Sequence, residues 1–418
     1  MRNFTLLIFI VISVQISAQN RVQISYIDYI KRVTDNNLEL AAEKLNLNIA
    51  DAKIEISKLF NDPSIGVGYS NVDIAGKKMG SAVSFEISKT LSPGKRAAAI
   101  DAAITEKQMS IALLKDYMNN LVSEATLLWI EVIRQQRIYS VEKETYHKIK
   151  ELAAKDSIRL TKGDINETDA VQSIIEAGKM YHDLLSREAE MHNLQFRLSK
   201  FCSVSGTDTI FVPASRILRH QRVKPLNEIV SIVMENRADL AAAEADVRLS
   251  EKLLKIAQIS RRPDIDVSVG VNLNRRAYNM EAPSPPHSEV YMGLSIPIQI
   301  SKSLYRGEIR QAEALRQQSV IRYQNALLQI ESDVVEAYNL YIAKDRQLKS
   351  YSDGLLLQAK RVLEEKKRGY NSGETPFLEV LDAQRTYDEI LISYYNTFYD
   401  KTAALINLER AAGYWDLE

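Results

Sequence analysis

The 418-residue sequence has one cysteine, Cys202, so no disulfide can form within the chain. It has no net charge, with 54 basic side chains against 54 acidic ones, and charge gives no sign of a nucleic-acid partner. Glycine and proline are scarce, 15 and 10, so regular structure is rarely interrupted. Long apolar runs are missing too. The nearest, Phe4 to Val14, is too short to span a bilayer. Standing behind Arg2 and before Ile16-Ser17-Ala18, it has the form of a secretory signal peptide, residues 1–18. Export is expected, without lipidation through an N-terminal Cys, because Cys202 lies far from the cleavage point. With 45% hydrophobic and 26% charged residues, the chain can nevertheless bury a core.

Reactive chemistry is equally sparse. The histidines, His147, His182, His192, His220 and His287, show no paired metal spacing, no glycine-rich phosphate loop is present, and Cys202 has no base motif beside it. No catalytic activity, cofactor or metal is expected. His182 and His192 lie near one face of a predicted helix, where solvated or core histidines are commoner than a ligand pair.

What is present is a unit used twice. Asn36-Asn37-Leu38-Glu39-Leu40-Ala41-Ala42 is echoed by Asn236-Arg237-Ala238-Asp239-Leu240-Ala241-Ala242, and Pro63-Ser64-Ile65 by Pro263-Asp264-Ile265. Gly163-Asp164 and Gly373-Glu374 match at a slightly wider spacing, most simply through an insertion between Arg275 and Ser288. The reading is a first repeat over 19–212, a connector over 213–225 and a second repeat over 226–418. Each repeat holds a short helix, a β-hairpin (63–91, 263–300), a long helix (95–160, 305–368) and a return helix (165–201, 376–412).

The periodicities support these elements. Ile111, Leu114, Met118, Leu121, Ala125, Leu128 and Val132 alternate steps of three and four, as do Val320, Tyr323, Leu327, Ile330, Val334, Ala337 and Tyr341, and both series are heptads. Each runs to a glycine able to cap it in the left-handed conformation and turn the chain back. Roughly 96 Å of continuous helix in the first repeat implies an elongated molecule. In the hairpins the period is two. Ile65, Val67 and Tyr69, then Val83, Phe85 and Ile87, then Val267, Val269 and Val271, then Val290, Met292 and Leu294 alternate with small or polar residues. A soluble hairpin gives the same alternation, but the strand length, the small polar second face and the polar tips suit an outer-membrane barrel. Four strands cannot close one, so copies of the chain must share it.

The order of repeat, hairpin and heptads resembles the TolC-type outer membrane efflux family over about Tyr26 to Gly413. Tyr370-Asn371-Ser372-Gly373-Glu374-Thr375-Pro376-Phe377-Leu378-Glu379-Val380-Leu381-Asp382-Ala383-Gln384 resembles its second periplasmic turn, and Gly163-Asp164-Ile165-Asn166-Glu167-Thr168-Asp169 its first. The resemblance implies a mainly α fold with β. It implies a homotrimeric twelve-stranded barrel, four strands per chain, continued by a long periplasmic α-helical coiled-coil barrel. It further implies a passive exit duct in the outer membrane of a Gram-negative-type cell. A periplasmic adaptor (membrane fusion) protein and an inner-membrane pump would open it, for efflux or type I secretion.

Candidate site residues follow. The tip turns are Gly163 and Asp164, then Gly373, Thr375 and Pro376, with Thr375 suited to the N-cap and Pro376 to the first helical position. Glu379 and Asp382, three apart, share a helix face. They match the family's acidic periplasmic constriction, which makes them candidate gate carboxylates. The family's closing link, from a tyrosine before the second turn to an Asp after the first, falls on Tyr370 and Asp169, with Thr168 beside it. The family's basic partner falls on Thr375, a departure from the pattern. The rival reading is an exported periplasmic coiled-coil scaffold without channel activity, which accounts for the heptads but not for paired hairpins at corresponding places.

Overall fold

A computed structural model describes residues 20–74, 77–205, 209–214, 223–275, 287–298 and 302–413. The signal segment, residues 215–222 of the connector, and the inserted stretch 276–286 lie outside the described residues. The chain is mainly helical with some sheet. It divides into two units, one of Met1–Ala41, Tyr117–Asn236 and Ser332–Glu418, the other of Ala42–Asp116 and Arg237–Glu331.

The elements run β1 (Asn20–Ile24), α1 (Tyr26–Asn36), α2 (Leu38–Lys58), β2 (Ser64–Ile74), β3 (Lys77–Leu91), α3 (Lys95–Lys162) and α4 (Glu167–Phe201). They continue with β4 (Thr209–Pro213), α5 (Leu226–Asn236), α6 (Ala238–Ile259), β5 (Ile265–Arg275), β6 (Ser288–Ser295), α7 (Lys302–Ser350), α8 (Leu356–Ser372) and α9 (Phe377–Ala412). The echoed motifs mark breaks in helices. Asn37 and Arg237 both leave the helix for extended geometry, ψ 121° and 120°, so each short helix of the sequence reading is two helices in succession. Asn37 recaps the chain: its Oδ1 accepts the Leu40 N–H at 2.9 Å.

The second unit holds the four-stranded antiparallel sheet, ordered β2-β3-β5-β6. The register pairs Val67 with Phe85, Phe85 with Val271 and Val271 with Val290, so the apolar positions of all four strands share one face. That face is the more exposed one. Val67 is 68% and Met292 83% accessible, whereas Glu86 and Tyr291 on the small, polar face are half-buried and Gly270 is buried. Among the described residues, strands β2 and β6 are paired on one side only.

The first unit is built on helix packing. Tyr29 stacks on Trp129 at 5.1 Å between ring centres, with Tyr26 edge-on to the same indole, and Val33, Leu198 and Ile210 are buried. Beside them Cys202 is buried, and that burial pushes its thiol up to about 11, leaving it protonated and unreactive at neutral pH. Strands β1 and β4 form a parallel pair, Asn20 opposite Thr209 through Ile24 opposite Pro213. Sequence periodicity missed both, since five residues are too few to show a period. The long helix of the second repeat is also interrupted. A π-helical turn, Tyr351–Leu355, separates α7 from α8, and Gly354 there takes φ 145°, a conformation side chains rarely tolerate. Among the described residues no helix is long and apolar enough to cross a membrane.

Candidate functional site at the helical tip

The two tip turns share one construction. Gly163 and Gly373 have φ of 79° and 82°, the left-handed geometry that ends α3 and α8. The Gly163 N–H donates to the Leu160 carbonyl and the Asp164 N–H to that of Arg159, while the Gly373 N–H donates to Tyr370 and the Glu374 N–H to Gly369. Both are Schellman closures, which satisfy the orphan carbonyls and reverse the chain in few residues. Beyond the first turn, Asn166 Oδ1 caps α4 by accepting the Asp169 N–H at 2.7 Å. Beyond the second, the assignment differs from the sequence reading. Pro376 takes the cap position of α9, no side chain caps it, and Phe377 is the first helical residue. Thr375 instead folds back, its N–H donating to the Gly369 carbonyl at 3.2 Å and its hydroxyl lying against Gly369, where a Cβ would collide with it.

The link made by Tyr370 also differs. Its hydroxyl donates to Asp156 Oδ1 at 2.6 Å, about two turns before the first glycine, rather than to Asp169. The Asp169 carboxylate is engaged locally, accepting from Asn166 Nδ2 at 3.0 Å, and Thr168 is exposed. Asp156 is fully buried. Arg159 lies over the Tyr370 ring, its Cζ 5.0 Å from the ring centre, with its guanidinium 3.8 Å from Asp156 Oδ1. This supplies the basic group that the sequence pattern lacked at Thr375. Tyr370, Phe377, Val380 and Leu381 form a small buried cluster with Leu152 against it, so the O–H···O⁻ bond is shielded from water and strengthened. Burial first, then the bond to Asp156 and its charge, push the Tyr370 phenol well above its ordinary range, so it stays a donor at any physiological pH.

Asp156 was legible in principle. Seven-residue steps from Leu114, Leu121 and Leu128 reach Ile149 and then Asp156, so a carboxylate occupies a core position of the heptad seam. Ile149, Ala153 and Asp156 are all buried, as that register requires.

Glu379 and Asp382 are both exposed on α9, and the Glu379 carboxylate is salt-bridged to Lys366 of α8. One turn on, Arg385 reaches Glu176 of α4 at 2.7 Å, joining the two return helices. Behind this bridge lies a cleft of about 290 Å³ lined in part by Thr145, Glu176, Arg385 and Asp388. Asp388 accepts from Gln384 Nε2 at 2.9 Å and Thr145 Oγ1 at 3.2 Å, yet burial raises its carboxyl above the usual range. A raised folded-state value means the stabilisation is full below the ordinary carboxylate pKa and is lost as pH rises through the folded value. Asp388→Asn, which keeps an acceptor, is therefore expected to melt no lower than the parent at pH 7 and to lose that decline. Thermal melts between pH 4 and 8 check it, and a variant that falls further below the parent as pH rises would show the charge to be stabilising.

Residues 229–414 match the family model described as outer membrane efflux protein. Among curated proteins, the cobalt-zinc-cadmium resistance protein CzcC of Cupriavidus metallidurans is 21% identical over 324 residues, which cover 77% of this chain and 74% of that one. The pyoverdine export outer membrane protein OpmQ of Pseudomonas putida is 23% identical over 57% of this chain and 54% of its own. Among solved structures, CusC, described in terms of transmembrane channel formation, has a TM-score of 0.77 at 17% identity, covering 93% of this chain and 92% of its own. The outer membrane protein VceC of Vibrio cholerae gives 0.77 at 16%, covering 93% and 95%. At such identities the structures speak for the fold, and the matched family model spans the second hairpin and the second tip turn. Together they tie residues 229–414 to the outer membrane efflux protein family and give the chain the fold of these solved structures.

Proposed function

We propose that the chain is one third of a homotrimeric exit duct in the outer membrane. Each chain gives four strands to a twelve-stranded barrel, and its twice-used helical unit continues that barrel as a periplasmic coiled-coil tunnel. The observation that carries this is the inverted sheet, whose apolar face is exposed and whose outer strands, β2 and β6, each keep an unpaired edge. An unpaired apolar sheet is an aggregation hazard in water, and a lipid-facing barrel shared between copies removes both the edges and the exposure. Three chains leave a lumen wide enough to conduct, whereas two give eight strands filled by side chains. The duct is passive. Its tip turns, Gly163 and Asp164 with Gly373, Thr375 and Pro376, hold the gate, and Glu379 and Asp382 present carboxylates there. A periplasmic adaptor and an inner-membrane pump, working for efflux or type I secretion, open it. The test is the mass of the detergent-extracted membrane fraction by light scattering. A particle of about three chains of 47.4 kDa, less the signal peptide, is expected. A carbonate-soluble monomer or dimer would leave the coiled-coil scaffold as the reading.

A further inference from the structure

The polar face of the sheet carries one built feature among its small residues. Glu86 of β3, Gly270 of β5 and Tyr291 of β6 are direct partners in successive registers, so they form one rung across three strands. The Tyr291 ring lies flat across Gly270. A Cβ at Gly270 would collide with the Tyr291 ring and hydroxyl and would come within 2.8 Å of the Phe85 carbonyl, so only glycine leaves room for the ring. From that position the Tyr291 hydroxyl reaches over β5 and donates to Glu86 Oε2 at 2.9 Å. The neighbours on the same face are mostly small, Gly66, Gly68, Ser84, Ser88, Ser268 and Gly293, with Asn272 and Glu289 the larger ones. Glu86 and Tyr291 therefore stand above a low floor. Among the described residues on the regular rungs of this face, before the irregularity at Val72/Asp73, Glu86, Asp266 and Glu289 are acidic and no lysine or arginine occurs.

We propose that Glu86 sets the ion preference of the duct's membrane end, and that Tyr291, laid over Gly270, is the positioning residue that fixes its carboxylate toward the lumen. The proposal rests on the channel reading above, in which the polar face lines the lumen. A free glutamate would sample several rotamers and lie down along the strand. The bond from Tyr291 holds it in one, and three chains would place three such carboxylates at one level of the barrel. A ring of fixed carboxylates attracts cations and repels anions, and no basic group on the same rungs offsets it.

The test is the reversal potential of the full-length protein in planar bilayers under a KCl gradient, measured in the parent and in the tip-link variant Tyr370→Phe/Asp156→Asn so that a closed tip does not mask the barrel. Glu86→Gln is expected to lower the potassium-to-chloride permeability ratio by at least about twofold at low salt, and Glu86→Asp to restore most of it. Tyr291→Phe and Gly270→Ala should each give part of that loss while leaving unit conductance in place. Adding Tyr291→Phe to Glu86→Gln should cause no further drop, as expected if the tyrosine acts through the glutamate. Extraction of each variant as the same oligomer shows that the barrel still assembles. An unchanged ratio in Glu86→Gln, with currents present, overturns the proposal and leaves the channel reading standing. No current in either background overturns the channel reading and this proposal with it.

Discussion

Tyr370→Phe combined with Asp156→Asn is expected to convert a tight channel into a leaking one. The bond between these side chains ties α8 to α3 within one chain, and it is buried beside Phe377, Val380 and Leu381. A hydrogen bond to a charged acceptor is worth about 1.5–3 kcal/mol, and three chains would together contribute about 5–9 kcal/mol to the closed tip. A two-state equilibrium needs about 5.5 kcal/mol to pass from 1:99 to 99:1, so losing all three bonds is enough to invert it. Asn and Phe preserve the shapes of the residues they replace and leave no uncompensated buried carboxylate, which keeps the effect on the gate rather than on folding. Single-channel conductance in planar bilayers reads the outcome directly. Asp169→Ala serves as the control and should leave the closed level unchanged, because that carboxylate is bonded to Asn166 of its own turn. A leak from Asp169→Ala together with a tight double variant would restore the link inferred from sequence resemblance and discard the one described here.

Met292→Arg is expected to abolish assembly into the membrane. Met292 is 83% accessible on the apolar face of β6, between Val290 and Leu294 and opposite Val269. An arginine on the lipid face of a barrel strand costs about 2–4 kcal/mol at mid-bilayer, and three chains in one barrel would incur it three times, about 6–12 kcal/mol in all. That is comparable to the whole stability of a typical domain. The yield of detergent-extractable oligomer should fall to near nothing, whereas Met292→Leu should assemble normally. Asn272→Arg, one residue from Val271 and on the opposite face, should also assemble, since lumenal positions tolerate charge. Equal yields from Met292→Arg and Asn272→Arg would mean that neither face meets lipid.

Much of this was readable from residues in order. The alternation of Val267, Val269 and Val271 with Ser268 and Gly270 determined which side chains share a face, because a strand's period of two admits no other arrangement. The heptads determined the long helices, and Gly163 and Gly373 determined where they end, since only a residue free of a Cβ penalty takes positive φ cheaply. These are local properties, settled within a few residues of chain.

What the sequence could not decide is what depends on residues far apart meeting. The parallel pair of β1 with β4 joins segments nearly two hundred residues apart, and neither strand is long enough to announce itself. The interruption at Gly354 falls inside an unbroken heptad pattern, where a glycine is compatible with a helix and only the packed chain fixes its φ at 145°. The resemblance offered only Asp169 as the partner of Tyr370, whereas the hydroxyl bonds Asp156. The structure ranks the two carboxylates by burial: Asp169 faces its own cap, whereas Asp156 lies on the core seam of α3, where an unpartnered carboxylate would be costly and the tyrosine hydroxyl is within reach. Local pattern thus determined the elements, and the choice of partners was left to tertiary packing, because desolvation of a polar group depends on everything packed around it.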